Sequence, residues 1–261
     1  MKEEPGYIEL DGLQLYYVRH VPEGKVRGRV LMAGPLGLER QNAYITIVRW
    51  ARLLASSGFQ TMRFDYRCTA ESTGRFEDAR MSDWMKDVGI FAEILSKDAT
   101  GPLVLCGLRI GALVTAGAFA RGTGDAMLLW DPPDGGRKAL LEVLRRRLAS
   151  DYAEGTGGPR KTREEYVADL ESGATVTVEG YDWTPGFWED AGRMELDLPE
   201  KDDARPWKAL YLNRKPPKTM PAEHTALIKL ARPPFWGNPP RAVPDTGDLF
   251  DVSLEFIRSL A

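Results

Sequence analysis

The chain has 261 residues, 43% of them hydrophobic, and a formal net charge of −3 with 2 His and 2 Cys. That length suits one large α/β domain or two small ones, and the apolar share supports a sizeable core. The charge argues against broad nucleic-acid binding, the cysteine count against a disulfide framework, and no apolar run nears the roughly 20 residues of a membrane span.

Tyr7 to Val18 alternates around Asp11-Gly12, a hairpin signal. Gly28 to Ala33 reads as a strand ending in Gly34-Pro35-Leu36-Gly37. Gln41 to Ser57 reads as a helix with Ile45, Val48, Ala51, Leu53 and Leu54 on its apolar face and Gly58 as its stop. Phe59 to Phe64 is a strand ending at Asp65, followed by a polar loop to Arg80. Ser82 is the expected N-cap of a helix to about Lys97. Leu103 to Cys106 is a strand that turns sharply into a helix to about Arg121, and Ala126 to Trp130 is the next strand.

The pattern then changes. Lys138 to Ala149 is an expected helix carrying Arg145-Arg146-Arg147, Gly155 to Pro159 a loop, and Thr162 to Leu170 a short helix. Thr175 to Val178 is strand-like, and Tyr181 to Trp188 is rich in aromatics. Strands return at Trp207 to Leu212 and Thr225 to Ala231, before a last helix from about Gly247 to Leu260. Strands alternating with helices imply a mostly parallel, twisted sheet flanked by helices. The expected organisation is a core of residues 1–134 and 199–261 with an inserted lid at 135–198. Met1 to Gly6 is charged and lacks an apolar signal segment, so the cytoplasm is the expected location.

Several motifs resemble one family. Gly34-Pro35-Leu36 with Glu39 to Asn42 looks like an oxyanion-side loop, and Asp65-Tyr66-Arg67 through Glu71-Ser72-Thr73-Gly74 like the turn after the fourth strand. Gly107-Leu108-Arg109-Ile110-Gly111-Ala112 is similar to the G-L-R-L-G-A turn of the second type of exosortase A system-associated hydrolase. Leu129 to Pro132, the Arg145-Arg146-Arg147 helix, Gly180-Tyr181 and Pro234-Phe235-Trp236 also look like that group. The resemblance covers most of the chain. It implies an α/β-hydrolase fold and a hydrolase label that rests on the fold.

A serine hydrolase of this fold needs Ser, then an acid, then His, in chain order. Arg109 stands where the nucleophile belongs, and a guanidinium is a permanent cation. Asn213 to Pro217, after the strand that normally precedes the acid, contains no carboxylate. Arg232 to Trp236 contains no histidine. Cys106 belongs to a strand core, where a thiol is inert. His20 and His224 read as structural. Serine-hydrolase chemistry is therefore not expected, and no cofactor or metal is implied.

Arg109 has two readings. A planar donor fork at the mouth of a cleft fits a carboxylate or phosphate. Alternatively it is neutralised internally by Asp65, Glu71, Glu39 or Asp131, because an unpaired buried guanidinium is costly. Arg109, Asp65, Glu71 and Asp131 are the candidate catalytic groups. Arg109, Leu36, Glu39, Leu108, Ile110, Trp183, Phe235 and Trp236 are the candidate ligand-binding residues. The basic triplet is either a solvated helix face or a docking patch for an acidic partner such as a carrier protein. Three functions follow: a binder of a small anionic or acyl ligand, a non-triad enzyme with a carboxylate base, or a protein-interaction scaffold.

Overall fold

A computed structural model describes residues 1–97, 99–154, 161–200, 202–237 and 244–261; the loop expected at Gly155 to Pro159 lies outside them. The chain opens with β1 (Lys2–Leu10) and β2 (Leu13–Val21), an antiparallel hairpin longer than the alternation suggested. Its turn residues, Asp11 and Gly12, have φ of 52° and 77°, the mirror-image turn that matches strand twist. Then come β3 (Gly28–Ala33), α1 (Gly37–Ser56), β4 (Phe59–Phe64), α2 (Met81–Lys97), β5 (Leu103–Leu108), α3 (Ile110–Ala120) and β6 (Ala126–Trp130). An excursion follows, of α4 (Gly136–Glu154), α5 (Arg163–Glu171), β7 (Val176–Val178), β8 (Tyr181–Trp183) and α6 (Pro185–Gly192). β9 (Trp207–Leu212), β10 (Thr225–Ile228) and α7 (Leu249–Arg258) complete the chain.

One sheet of order β1-β2-β4-β3-β5-β6-β9-β10 runs through the molecule, parallel from β4 to β10. Successive strand residues face opposite sides. Val30, Val104, Leu128 and Leu210 meet α1 and α7 in one core, while Leu31, Leu105, Leu129 and Tyr211 meet α2 and α3 in the other. This is the α/β-hydrolase arrangement.

Three local expectations are corrected. α1 starts at Gly37, not Gln41, so Glu39 lies in its first turn. Trp50 sets its inward phase by packing on Trp130 and Phe250 at 5.4 and 5.0 Å, which turns Ile45 outward. Ser82 lies inside α2 rather than capping it, and its N–H donates to Asp190 Oδ2 of α6 at 3.0 Å.

The excursion is closed at its neck by the Gly135–Glu195 bridge. Phe187 packs on Phe76 and Trp84 at 4.8 and 5.9 Å, so its aromatics join the core beneath α2. Its carboxylates also cap helices of the body. Besides Asp190 on α2, Glu179 Oε2 accepts the Leu38 N–H at 2.9 Å, at the start of α1. Leu36, the α1 N-cap, supplies no side-chain bond of its own, and a carboxylate at a helix N-terminus is favourable. Gly37 has φ of 60°, and a Cβ there would lie 2.4 Å from Glu179 Oε2. Only glycine admits the capping carboxylate.

Candidate functional site

Three adjacent parallel strands, β5, β6 and β9, end side by side, and charged residues follow each: Arg109, Asp131 and Arg214. Arg109 forms the turn between β5 and α3 at φ 56°, ψ −124°. This backbone is rare for a side-chain-bearing residue and is held by its surroundings. The Arg109 N–H donates to Trp130 O at 3.0 Å, and the Ala112 N–H donates to Arg109 O at 2.8 Å. The turn is also jammed against β3, because a Cβ at Gly111 would lie 2.4 Å from Gly34 O. The sharp turn thus follows from Gly111 on one side and the sheet ladder on the other.

The Arg109 side chain is buried, 6% exposed, and each of its nitrogens is engaged. Nε donates to Glu39 Oε1 at 3.2 Å, Nη1 to Asp131 Oδ2 at 3.3 Å, and Nη2 to Glu142 Oε2 of α4 at 2.5 Å. Burial works against its charge, but Glu39, Asp131 and Glu142 outweigh it and hold the guanidinium protonated. Trp236 lies beside it, 5.9 Å from ring centroid to Cζ.

The network extends outward. Arg146 of α4 donates to Glu39 Oε1 at 2.9 Å and lies 3.6 Å from Glu179 Oε1. Burial pushes the Glu179 carboxyl up, while the Leu38 N–H and Arg146 hold it down. Arg214 donates from Nε to Asp131 Oδ1 at 2.6 Å and from Nη2 to Pro132 O at 2.5 Å. Three guanidiniums thus interleave with four carboxylates, and the excursion contributes Glu142, Arg146 and Glu179.

Of the four expected partners of Arg109, the structure brings Glu39 and Asp131. Asp65 and Glu71 are corrected. Asp65 binds Arg40 through Oδ1, at 3.1 and 2.6 Å, and accepts the Glu71 N–H at 3.2 Å. The loop after β4 is pinned to the hairpin by Thr73 N–H to Gln14 O at 2.8 Å and Tyr16 N–H to Ser72 Oγ at 2.9 Å. Glu71 is therefore carried onto the hairpin side, where it is exposed.

Leu36, Leu108 and Ile110 are buried around the turn. Phe235 and Trp236 are 6% and 5% exposed, and Trp236 O accepts Asn42 Nδ2 at 3.0 Å, which ties them to α1. Trp183 is 1% exposed and packs on Phe187 and Trp188 within the excursion instead of lining an open wall. The triplet is not one face: Arg145 is exposed, whereas Arg146 turns inward to Glu39. Burial raises the Cys106 thiol well above its ordinary range. His224 stacks on Trp207 at 4.4 Å, and His20 is fully buried. Among the described residues, no group of three or more His, Cys, Asp or Glu is placed to hold a metal ion, and no helix is long and apolar enough to cross a membrane. Sequence reasoning missed Glu142, Glu179 and Arg214, which carry no local motif, and placed Arg146 in a docking patch rather than beside Glu39.

No family model matches the chain, and no curated protein matches it in sequence. Solved structures do match it in shape. Est1E from Butyrivibrio proteoclasticus, with ferulic acid bound, is 17% identical over 98% of both chains at a TM-score of 0.64. The alpha/beta hydrolase GrgF from Penicillium sp. sh18 is 15% identical at 0.60, over 100% of this chain and 97% of that one. Mouse alpha/beta hydrolase domain-containing protein 10 is 18% identical at 0.58, over 99% and 100%. The chain has the α/β-hydrolase fold.

Proposed function

We propose that this chain is a hydrolase-fold binding protein without serine-hydrolase chemistry, and that it takes a small anionic or acyl ligand at Arg109. The turn that would present a nucleophile presents a permanent cation instead. The similarity of Gly107 to Ala112 to exosortase A system-associated hydrolases of the second type belongs to the same reading.

One observation carries it. The partners of Arg109 are unequal: the Glu39 and Asp131 side chains are each 5% exposed, whereas Glu142 is 31% exposed. Glu142 comes from α4 of the excursion, which acts as a lid, and its carboxylate occupies the outer nitrogen of the fork. A ligand carboxylate or phosphate would replace it charge for charge, leaving the inner pairs intact. An enzyme reading with Glu39 or Asp131 as base is less well supported, since each is already held by two guanidiniums.

The test is calorimetric titration with hexanoate and octanoate. Glu142→Gln is expected to tighten binding about tenfold by removing the internal competitor, and Arg109→Gln to abolish it. A fluorophosphonate probe is expected to leave the protein unlabelled. Carboxylate binding that is equal in all three proteins would overturn the reading.

A further inference from the structure

A second concave site lies where the hairpin overhangs α1. Tyr7 of β1, Tyr16 of β2, Arg63 of β4, Arg40 and Tyr44 of α1, and Glu71 enclose a cavity of about 410 Å³. That is within the usual size of a small-molecule pocket. Tyr7 and Tyr44 are 51% and 45% exposed. The Tyr7 and Tyr16 rings are 5.2 Å apart, and Arg63 Cζ is 5.3 Å from the Tyr44 ring centroid.

The charges here are incompletely matched. Arg40 is engaged by Asp65. Among the described residues Arg63 has no ion-pair partner, although it helps to hold the Glu3 carboxyl down. Its Nε donates to His20 Nε2 at 3.3 Å. Burial, with help from Arg63, pushes the His20 pKa down to about 4, so the imidazole is a neutral acceptor at neutral pH. Among the described residues, neither Arg63 nor the Glu71 carboxylate has an ion-pair partner, so the two do not reach one another. The tyrosine hydroxyls likewise make no hydrogen bond to a described residue.

We propose that this cavity binds a small zwitterion with an apolar ring, that is, a free aromatic amino acid. Its carboxylate would lie on the terminal nitrogens of Arg63, its ammonium on Glu71, and its ring against the tyrosines. A guanidinium fork suits a carboxylate, and tyrosine faces suit both a ring and an ammonium. Asp65, outside the lining, offsets Arg40, which leaves Arg63 and Glu71 as one lining charge of each sign. A simple anion would face Glu71 without a counter-charge, whereas a zwitterion gives both unmatched groups a partner. The proposal does not depend on the reading of Arg109.

The test titrates the full chain with L-phenylalanine, 3-phenylpropanoate and 2-phenylethylamine, followed by calorimetry and amide chemical shifts. L-Phenylalanine is expected to bind at least about tenfold tighter than either analogue. Glu71→Gln should lose about tenfold for L-phenylalanine while 3-phenylpropanoate binding holds or tightens. Arg63→Gln should lose about tenfold for L-phenylalanine and nothing for 2-phenylethylamine. Arg109→Gln should leave all three unchanged. The proposal is overturned if 3-phenylpropanoate matches L-phenylalanine, which marks a plain anion site. It is also overturned if Glu71→Gln, whose exposed side chain the fold does not need, leaves L-phenylalanine affinity unchanged. Loss of binding in an Arg109→Gln protein whose amide spectrum shows the fold intact would move the ligand to the other site, and no binding up to about 10 mM would also end the proposal.

Discussion

The turn at Arg109 and the cavity at Arg63 are built from the same side-chain chemistry in opposite states. At the turn, three guanidiniums and four carboxylates interlock around a buried core of Arg109, Glu39 and Asp131, and every side-chain nitrogen of Arg109 is engaged. At the cavity, a half-buried Arg63 and an exposed Glu71 line the same space without pairing. Burial explains the contrast. A desolvated charge without a partner is untenable, whereas a charge at a solvated rim is stabilised by water until something replaces it. The first arrangement resists change and the second invites a ligand.

Breaking the buried network should have the largest effect. Arg109→Leu leaves Glu39 and Asp131 buried with one cation fewer, so urea unfolding should show a loss of about 3–5 kcal/mol. A loss below about 1 kcal/mol would mean that the turn is wetter than its 6% exposure implies.

The next effect is a pH dependence at His20, beneath Arg63. Its pKa falls from an ordinary 6.5 to about 4 on folding. Between these values the unfolded chain binds a proton that the native one does not. Stability is thus fully present above pH 6.5 and declines as the pH falls toward 4, by up to about 3 kcal/mol. His20→Gln, which keeps an acceptor for Arg63, should flatten that stretch of the stability–pH curve.

Glu142→Gln sits between the two regimes. Its side chain is 31% exposed, so the loss should be about 1 kcal/mol, accompanied by faster protease cleavage within the excursion. Smallest of all, Arg63→Gln and Glu71→Gln should each shift stability by less than about 0.5 kcal/mol at neutral pH. A larger loss would make the cavity part of the framework.

The sheet was largely readable because its signals are local. Val30 and Leu31, or Leu128 and Leu129, are apolar on both faces, as a strand buried between helix layers must be. Gly107 and Gly111 bracket the turn that Arg109 occupies. Glu39 and Asp131 were foreseeable as partners because strand ends place them beside it. Glu142, Arg146 and Glu179 were not, since their meeting depends on how the excursion folds back, and Arg214 was not, since β9 pairs with β6 across the whole excursion. Glu71 was misplaced for a related reason: the Tyr16 N–H donates to Ser72 Oγ and the Thr73 N–H to Gln14 O, which holds its loop at the hairpin.

By itself, then, the sequence determined the doubly covered parallel sheet and the tight turn with an arginine on it. Periodicity and turn chemistry are properties of neighbouring residues, so they survive in a string of letters. Only the tertiary structure decided that Arg109 is enclosed by Glu39, Asp131 and Glu142 while Arg63 has no ion-pair partner among the described residues. Pairing and desolvation depend on which distant segments share a volume.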